Sequence, residues 1–254
     1  MSLLEVRGLA KSFGSLAAVR GVSLAVAAGE LRAVIGPNGA GKTTFFNLIS
    51  GAIRPSSGSV HFDGDDITAL LAWRRAARGM ARTFQVTEIF PELTVAENLR
   101  IAVEVAAGLR LRPWLGRAGA SRIAAGGEEI LELADLAGKA GRLAGELAHG
   151  DQRATEIAMA LALRPRLLLL DEPTAGMGEQ ETFAVTQLIR RLHRERALTI
   201  VLIEHDMRVV FHLADRIAVL DQGALIADGT PAEIAANPAV QAAYLGQPAE
   251  AGAA

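Results

Sequence analysis

Residues 36–44 read GPNGAGKTT, directly after the largely apolar run Leu31–Ile35 and at the start of a helical pattern over Lys42–Ser50. The G-x-x-x-x-G-K-[ST] spacing requires a strand to deliver the loop and a helix to leave it. Gly36, Gly39 and Gly41 let the backbone aim N–H groups inward at an anion, and Pro37, Asn38, Ala40 and Thr44 complete the loop. The helix opening near Lys42 adds unsatisfied amides and the positive end of its dipole. In such a cradle the Lys42 ammonium bridges the β- and γ-phosphates of a nucleoside triphosphate, and the Thr43 hydroxyl ligates Mg²⁺. The alternative is a chance glycine-rich turn. A random match has odds of roughly three in a thousand, because glycines abound but lysine occurs only at Lys11, Lys42 and Lys139.

A second constellation follows the apolar strand that ends at Leu170, where the chain reads Asp171-Glu172-Pro173. Open α/β sheets place ligands at the C-terminal ends of their strands. Asp171 is expected to hold the Mg²⁺ hydration shell, Glu172 to polarise the attacking water, and Pro173 to end the strand. Taken alone, an acidic pair at a strand end is bland; beside a phosphate loop it gains meaning. His205, in Glu204-His205-Asp206 after the strand Thr199–Ile203, has the same placement and is expected to reach the γ-phosphate.

Short β-like runs alternate with helical patterns through most of the 254 residues, which predicts a parallel sheet with crossover helices. From about Pro91 to Leu163 the alternation stops, and the stretch reads as an all-helical insertion in an α/β core, with helices over 94–106, 121–136 and 152–163. Its basic Arg110–Ala125 segment reads as a solvated loop or a partner contact. The end, QPAEAGAA, reads as a frayed tail over 247–254. A net charge of −2 gives no basic footprint for a nucleic acid. The absence of cysteine fits a reducing compartment. The longest apolar runs are strand-length, far below the ~18 residues of a spanning helix, and the N-terminus lacks the apolar core of a signal peptide. The chain is therefore expected in the cytosol, with any membrane attachment supplied by a partner.

In this order, these elements resemble the ATP-binding subunits of ABC transporters over about residues 3–246. The resemblance implies a mainly parallel, RecA-like P-loop core (3–90 and 164–246), an antiparallel β subdomain and a helical subdomain (91–163). It implies that Phe13, in LAKSFG, stacks on adenine, and that Gln85, in RTFQ, touches Mg²⁺ and water and senses the transmembrane partner. Leu147, Ala148, His149, Gly150, Asp151 and Gln152 stand at the family signature, where helix-start amides grip the γ-phosphate of ATP held by the opposite subunit. The implied assembly has a second ATP-binding subunit, identical or homologous, two transmembrane permease subunits and, indirectly, an extracytoplasmic solute-binding protein. Its place is the cytoplasmic face of the plasma membrane.

Within the family, RTFQVTEIFPELTVAENL, IEHDM and EIAANPAVQAAYLG resemble the branched-chain amino acid uptake group, while PTAGM also resembles urea and short-amide transporters. Ala148 replaces the usual signature serine and His149 the glycine after it. Gly178 stands where many relatives have an aspartate or asparagine that contacts the partner's phosphate loop. Pairing with a different ATPase chain to give two unequal sites is one reading of that loss, and an identical partner chain is the other. Two other classes compete. A soluble ABC ATPase usually carries two cassettes or a coiled-coil insertion, and a P-loop kinase or GTPase needs an arginine lid or an N-K-x-D reader.

Overall fold

The computed structural model describes residues 2–83, 87–108 and 126–245. The chain begins with β1 (Ser2–Phe13), β2 (Leu16–Ala27) and β3 (Leu31–Ile35), followed by α1 (Lys42–Ser50). Next come β4 (Ser57–Phe62), β5 (Asp65–Asp66), α2 (Ala72–Ala76) and β6 (Met80–Arg82). Helices α3 (Val95–Ala106), α4 (126–133) and α5 (His149–Ala162) lead to β7 (Leu167–Asp171) and α6 (Glu179–Arg196). The last elements are β8 (Thr199–Ile203), α7 (Met207–Leu213), β9 (Arg216–Asp221), β10 (Ala224–Gly229), α8 (Pro231–Ala235) and α9 (Pro238–Leu245). Two compact units result, one from Met1–Ala72 and Val201–Ala254, the other from Trp73–Ile200.

In the first unit, β2-β1-β4-β5 form an antiparallel sheet. Strand β2 explains itself: Val22, Leu24 and Val26 are buried and alternate with exposed neighbours, the two-residue period of a half-covered sheet. Strand β3 is buried along its whole length and pairs parallel with β9, which pairs antiparallel with β10. Even Arg32 is inside, its charge met by Glu30 at 2.6 Å and by Asp228. Helix α1 buries Phe45, Phe46, Leu48 and Ile49. Each contributes about 1.5–3 kcal/mol by leaving water, so the helix following the phosphate loop is firmly seated.

In the second unit, β6 and β7 pair in parallel, and β7 is buried throughout. Among the helices, α3 buries Val95, Leu99 and Ala102, and α5 buries Ala154, Ile157 and Ala158. The fold is thus the α/β class expected, with parallel strand pairs, a separate antiparallel sheet and consecutive helices. One boundary differs in a way that matters: α5 starts at His149, three residues before the expected start at Gln152. The polar run His149–Gln152 has no apolar period, so the sequence pattern hides the first turn.

Helix α3 carries a capping box, with the Thr94 hydroxyl accepting from the Glu97 N–H at 3.2 Å and Glu97 accepting from the Thr94 N–H at 2.8 Å. Thr94→Ala is expected to cost about 1 kcal/mol at neutral pH, read as a shift in urea midpoint. The Thr94 amide, then its hydroxyl, hold the Glu97 carboxyl below its ordinary 4.5. A carboxyl depressed by folding stabilises above pH 4.5 and loses that effect as pH falls through its lower folded value. The penalty of Thr94→Ala should therefore shrink below pH 4.5 and stay constant above it.

Candidate nucleotide site

In the first unit, the residues expected to hold phosphate lie where β3 hands over to α1. Gly41 is the N-cap of α1, in the left-handed region at φ 94° and ψ 7°. A Cβ there would stand 2.3 Å from the Ala18 carbonyl oxygen of β2. Only glycine satisfies both demands. As the cap it brings no side-chain hydrogen bond, and the first turn of α1 holds no acidic residue. A helix start without Ser, Asp or Glu leaves first-turn amides for an external anion. Lys42 is 8% exposed, with its ammonium donating to the carbonyls of Gly36 at 2.6 Å and Pro37 at 3.0 Å. Asn38, Gly39 and Thr43 are exposed, while Gly36, Pro37 and Ala40 are buried and Thr44 is half-buried.

Phe13 closes β1, pairs with Leu16 and is 51% exposed, with the Lys11 ammonium 5.2 Å from its ring centre. The Ala18 carbonyl that abuts Gly41 lies two residues beyond Leu16, so the aromatic and the loop share one strand pair as support. His205 is exposed, and its backbone N–H donates to the Glu204 carboxylate at 3.0 Å. Glu204, 1% exposed, also accepts from Asp206 N–H at 3.4 Å, and so shapes the turn that presents the imidazole. Asp206 caps α7 by accepting from the Arg208 N–H, and the Arg208 guanidinium holds its carboxyl below the usual range.

The second unit carries the other expected residues. Asp171 ends β7 at 3% exposure, with its Oδ2 2.8 Å from the Arg82 guanidinium. Glu172 follows at φ 45°, an unusual region for a residue with a side chain. Arg153, 1% exposed, donates to Glu156 at 2.5 Å and to the Asp171 carbonyl at 2.6 Å, tying α5 to the end of β7. The segment Leu147–Gln152 spans the N-terminus of α5, with Leu147 and Gly150 buried, Ala148 and His149 exposed, and Asp151 paired to Lys139 at 2.6 Å. Gln152 donates to the Leu147 carbonyl at 3.0 Å. Gln85, the Arg110–Ala125 segment and the 247–254 tail lie outside the described residues.

Sequence reasoning missed Arg82, Arg153, Glu204 and Tyr244. Arg82 opens the RTFQ motif and Arg153 directly follows the signature residues 147–152, but nothing local announces their distant partners. Tyr244, on α9, lies against the backbone amide of Gly36 at the head of the phosphate loop; burial, the larger influence, pushes its phenol up to about 12, and the Gly36 amide works against that.

A glycine-capped helix after a buried parallel strand, with a lysine folded over the loop, defines a P-loop nucleotide-binding protein. The ABC transporter family profile matches residues 19–175, and a profile of branched-chain amino acid ATP-binding cassette transporters matches residues 224–250. The chain is 44% identical to the high-affinity branched-chain amino acid transport ATP-binding protein BraF of Pseudomonas aeruginosa, covering 96% of this chain and 98% of that one. With LivG of Escherichia coli, described in the same terms, identity is 41% at the same coverages. The ADP conformation of MJ1267, an ATP-binding cassette of an ABC transporter, superposes with a TM-score of 0.84 at 29% identity, covering 97% of this chain and all of that one. The chain belongs to the ABC transporter ATP-binding proteins and is, by that membership, an ATPase. Such subunits work with membrane permease components. Among the described residues, no helix is long and apolar enough to cross a membrane.

Proposed function

We propose that this chain powers uptake of branched-chain amino acids, or of similar small polar solutes, from the cytoplasmic face of the membrane. It would do so with two permease subunits, a second ATP-binding subunit and an extracytoplasmic solute-binding protein. The observation that carries this reading is the match over residues 224–250, all of which lies beyond the ABC transporter profile. That segment supplies β10, α8 and α9, and with α9 comes Tyr244, which lies against the phosphate loop at Gly36.

In the proposed mechanism, the α1 amides and Lys42 bind the triphosphate, Phe13 stacks on the base, and Glu172 takes the proton of the attacking water. His205 and Gln85 meet the γ-phosphate and the water. Thr43 of the first unit and Asp171 of the second would each offer Mg²⁺ a hard oxygen, and among the described residues no group of three or more His, Cys, Asp or Glu could hold a metal by itself. An ion held largely by phosphates and water needs no such cage, and Asp171, Thr43 and Gln85 would complete its surroundings. Bound there, Mg²⁺ neutralises charge on the phosphates. Residues 147–152 would receive the γ-phosphate of the opposite subunit's ATP, and the helices of the second unit would pass the closure to the permeases.

The test is uptake of radiolabelled leucine in cells lacking their own importer, with candidate permease genes supplied. The expected result is uptake that requires this chain, a chain that sediments with membranes only beside its permeases, and loss of both nucleotide binding and uptake in Lys42→Ala. Membrane sedimentation without permeases, or uptake that survives Lys42→Ala, would overturn it.

A further inference from the structure

Helix α5 begins on a weak foundation. Its N-cap, Ala148, makes no side-chain bond to the first turn, and alanine is among the poorest residues there. The missing acceptor comes from another helix. Glu181, in the first turn of α6, accepts from the Gly150 N–H through Oε1 at 3.1 Å and from the Gly178 N–H through Oε2 at 3.3 Å. One carboxylate thus bridges the start of α5 and the segment that follows Pro173.

The packing agrees with the hydrogen bonding. A Cβ on Gly150 would stand 3.1 Å from Glu181 Cβ and 3.3 Å from Cγ, so Gly150 lets the two helix starts close together. The Gly150 and then the Gly178 amide hold the Glu181 carboxyl below its ordinary value, with a smaller contribution from His149. The bond to Gly178 alone would be an ordinary cap of α6. The bond to Gly150, 31 residues away in sequence, serves a different helix.

We propose that Glu181 is a positioning residue for ATP hydrolysis: by holding Gly150 and Gly178 on one carboxylate, it fixes the orientation in which residues 147–152 meet the partner-bound γ-phosphate. This inference rests on the reading above that 147–152 receives that phosphate. Glu181 touches no nucleotide itself and acts through α5.

The test is Glu181→Ala in the full chain, assayed as purified and within its transporter. Three readouts are needed: ADP affinity, kcat for ATP, and amide hydrogen exchange at Gly150 and Gly178. ADP occupies the phosphate loop of one subunit without a γ-phosphate, so its affinity should stay within about twofold. The kcat should fall about tenfold or more, and exchange at both glycines should quicken together. Glu181→Gln, which keeps the length but has one accepting oxygen, should fall between. An unchanged kcat alongside faster exchange would reduce Glu181 to a helix cap and overturn the proposal. A parallel loss of ADP affinity would also overturn it, because the change would then act through the fold. If the unaltered chain binds ADP yet never hydrolyses ATP, the reading beneath fails instead.

Discussion

Glu172→Gln is expected to cut ATP turnover at least about 100-fold while nucleotide affinity changes by less than about twofold, as the loss of a general base predicts. The substitution keeps size and shape but removes the basic oxygen. Phosphate release and calorimetric nucleotide binding would separate the two effects. The backbone gives an independent reason to single out this residue. Glu172 stands at φ 45°, immediately after five buried residues of β7 and before buried Pro173, with its carbonyl accepting from the Ala175 N–H at 3.2 Å. A side-chain-bearing residue in that region costs about 1–3 kcal/mol and persists where surrounding structure enforces it. Glu172→Gly removes the conflict between Cβ and backbone, so it should be as stable as the parent or slightly more so, yet equally inactive. Turnover within tenfold of the parent in Glu172→Gln would remove Glu172 from the role of base.

Legibility in the sequence followed the range of the interactions. The phosphate loop was readable because its demands are local: glycines at fixed spacing, a lysine, and the strand and helix on either side. The placement of Asp171 and Glu172 was readable for the same reason, since Leu167–Leu170 is an unbroken apolar run. The start of α5 was not readable. Ala148 sends no capping signal, and the acceptor for the Gly150 amide comes from Glu181 in another helix. Helices α8 and α9 were not read either. Helix α8 spans only five residues, although its Thr230–Glu233 capping box was visible. Burial also escaped pattern reading where charge was involved. Arg32, Arg75 and Arg153 are among the most buried side chains, which a hydropathy pattern would place on the surface.

Arg153 carries the largest expected loss of stability. Its guanidinium lies between the Glu156 carboxylate and the Asp171 carbonyl, and both Arg153 and Glu156 are almost wholly out of water. Removing one member of a buried pair leaves the other charge poorly compensated, at a cost of about 3–5 kcal/mol. Whole domains are stable by only about 5–15 kcal/mol, so Arg153→Ala should shift the urea midpoint strongly and lower soluble yield. Replacing both partners by methionine should recover much of that loss, because an apolar pair of similar volume avoids the desolvation penalty. What the double variant cannot restore is the donor to the Asp171 carbonyl. That vacancy bears on the strand end that carries Asp171 and Glu172, so the double variant should regain stability while hydrolysing ATP more slowly than the parent. Recovery of both together would show that Arg153 supports only the fold. Recovery of stability alone would place the α5-to-β7 tie in the path between the signature segment and the carboxylates proposed for hydrolysis.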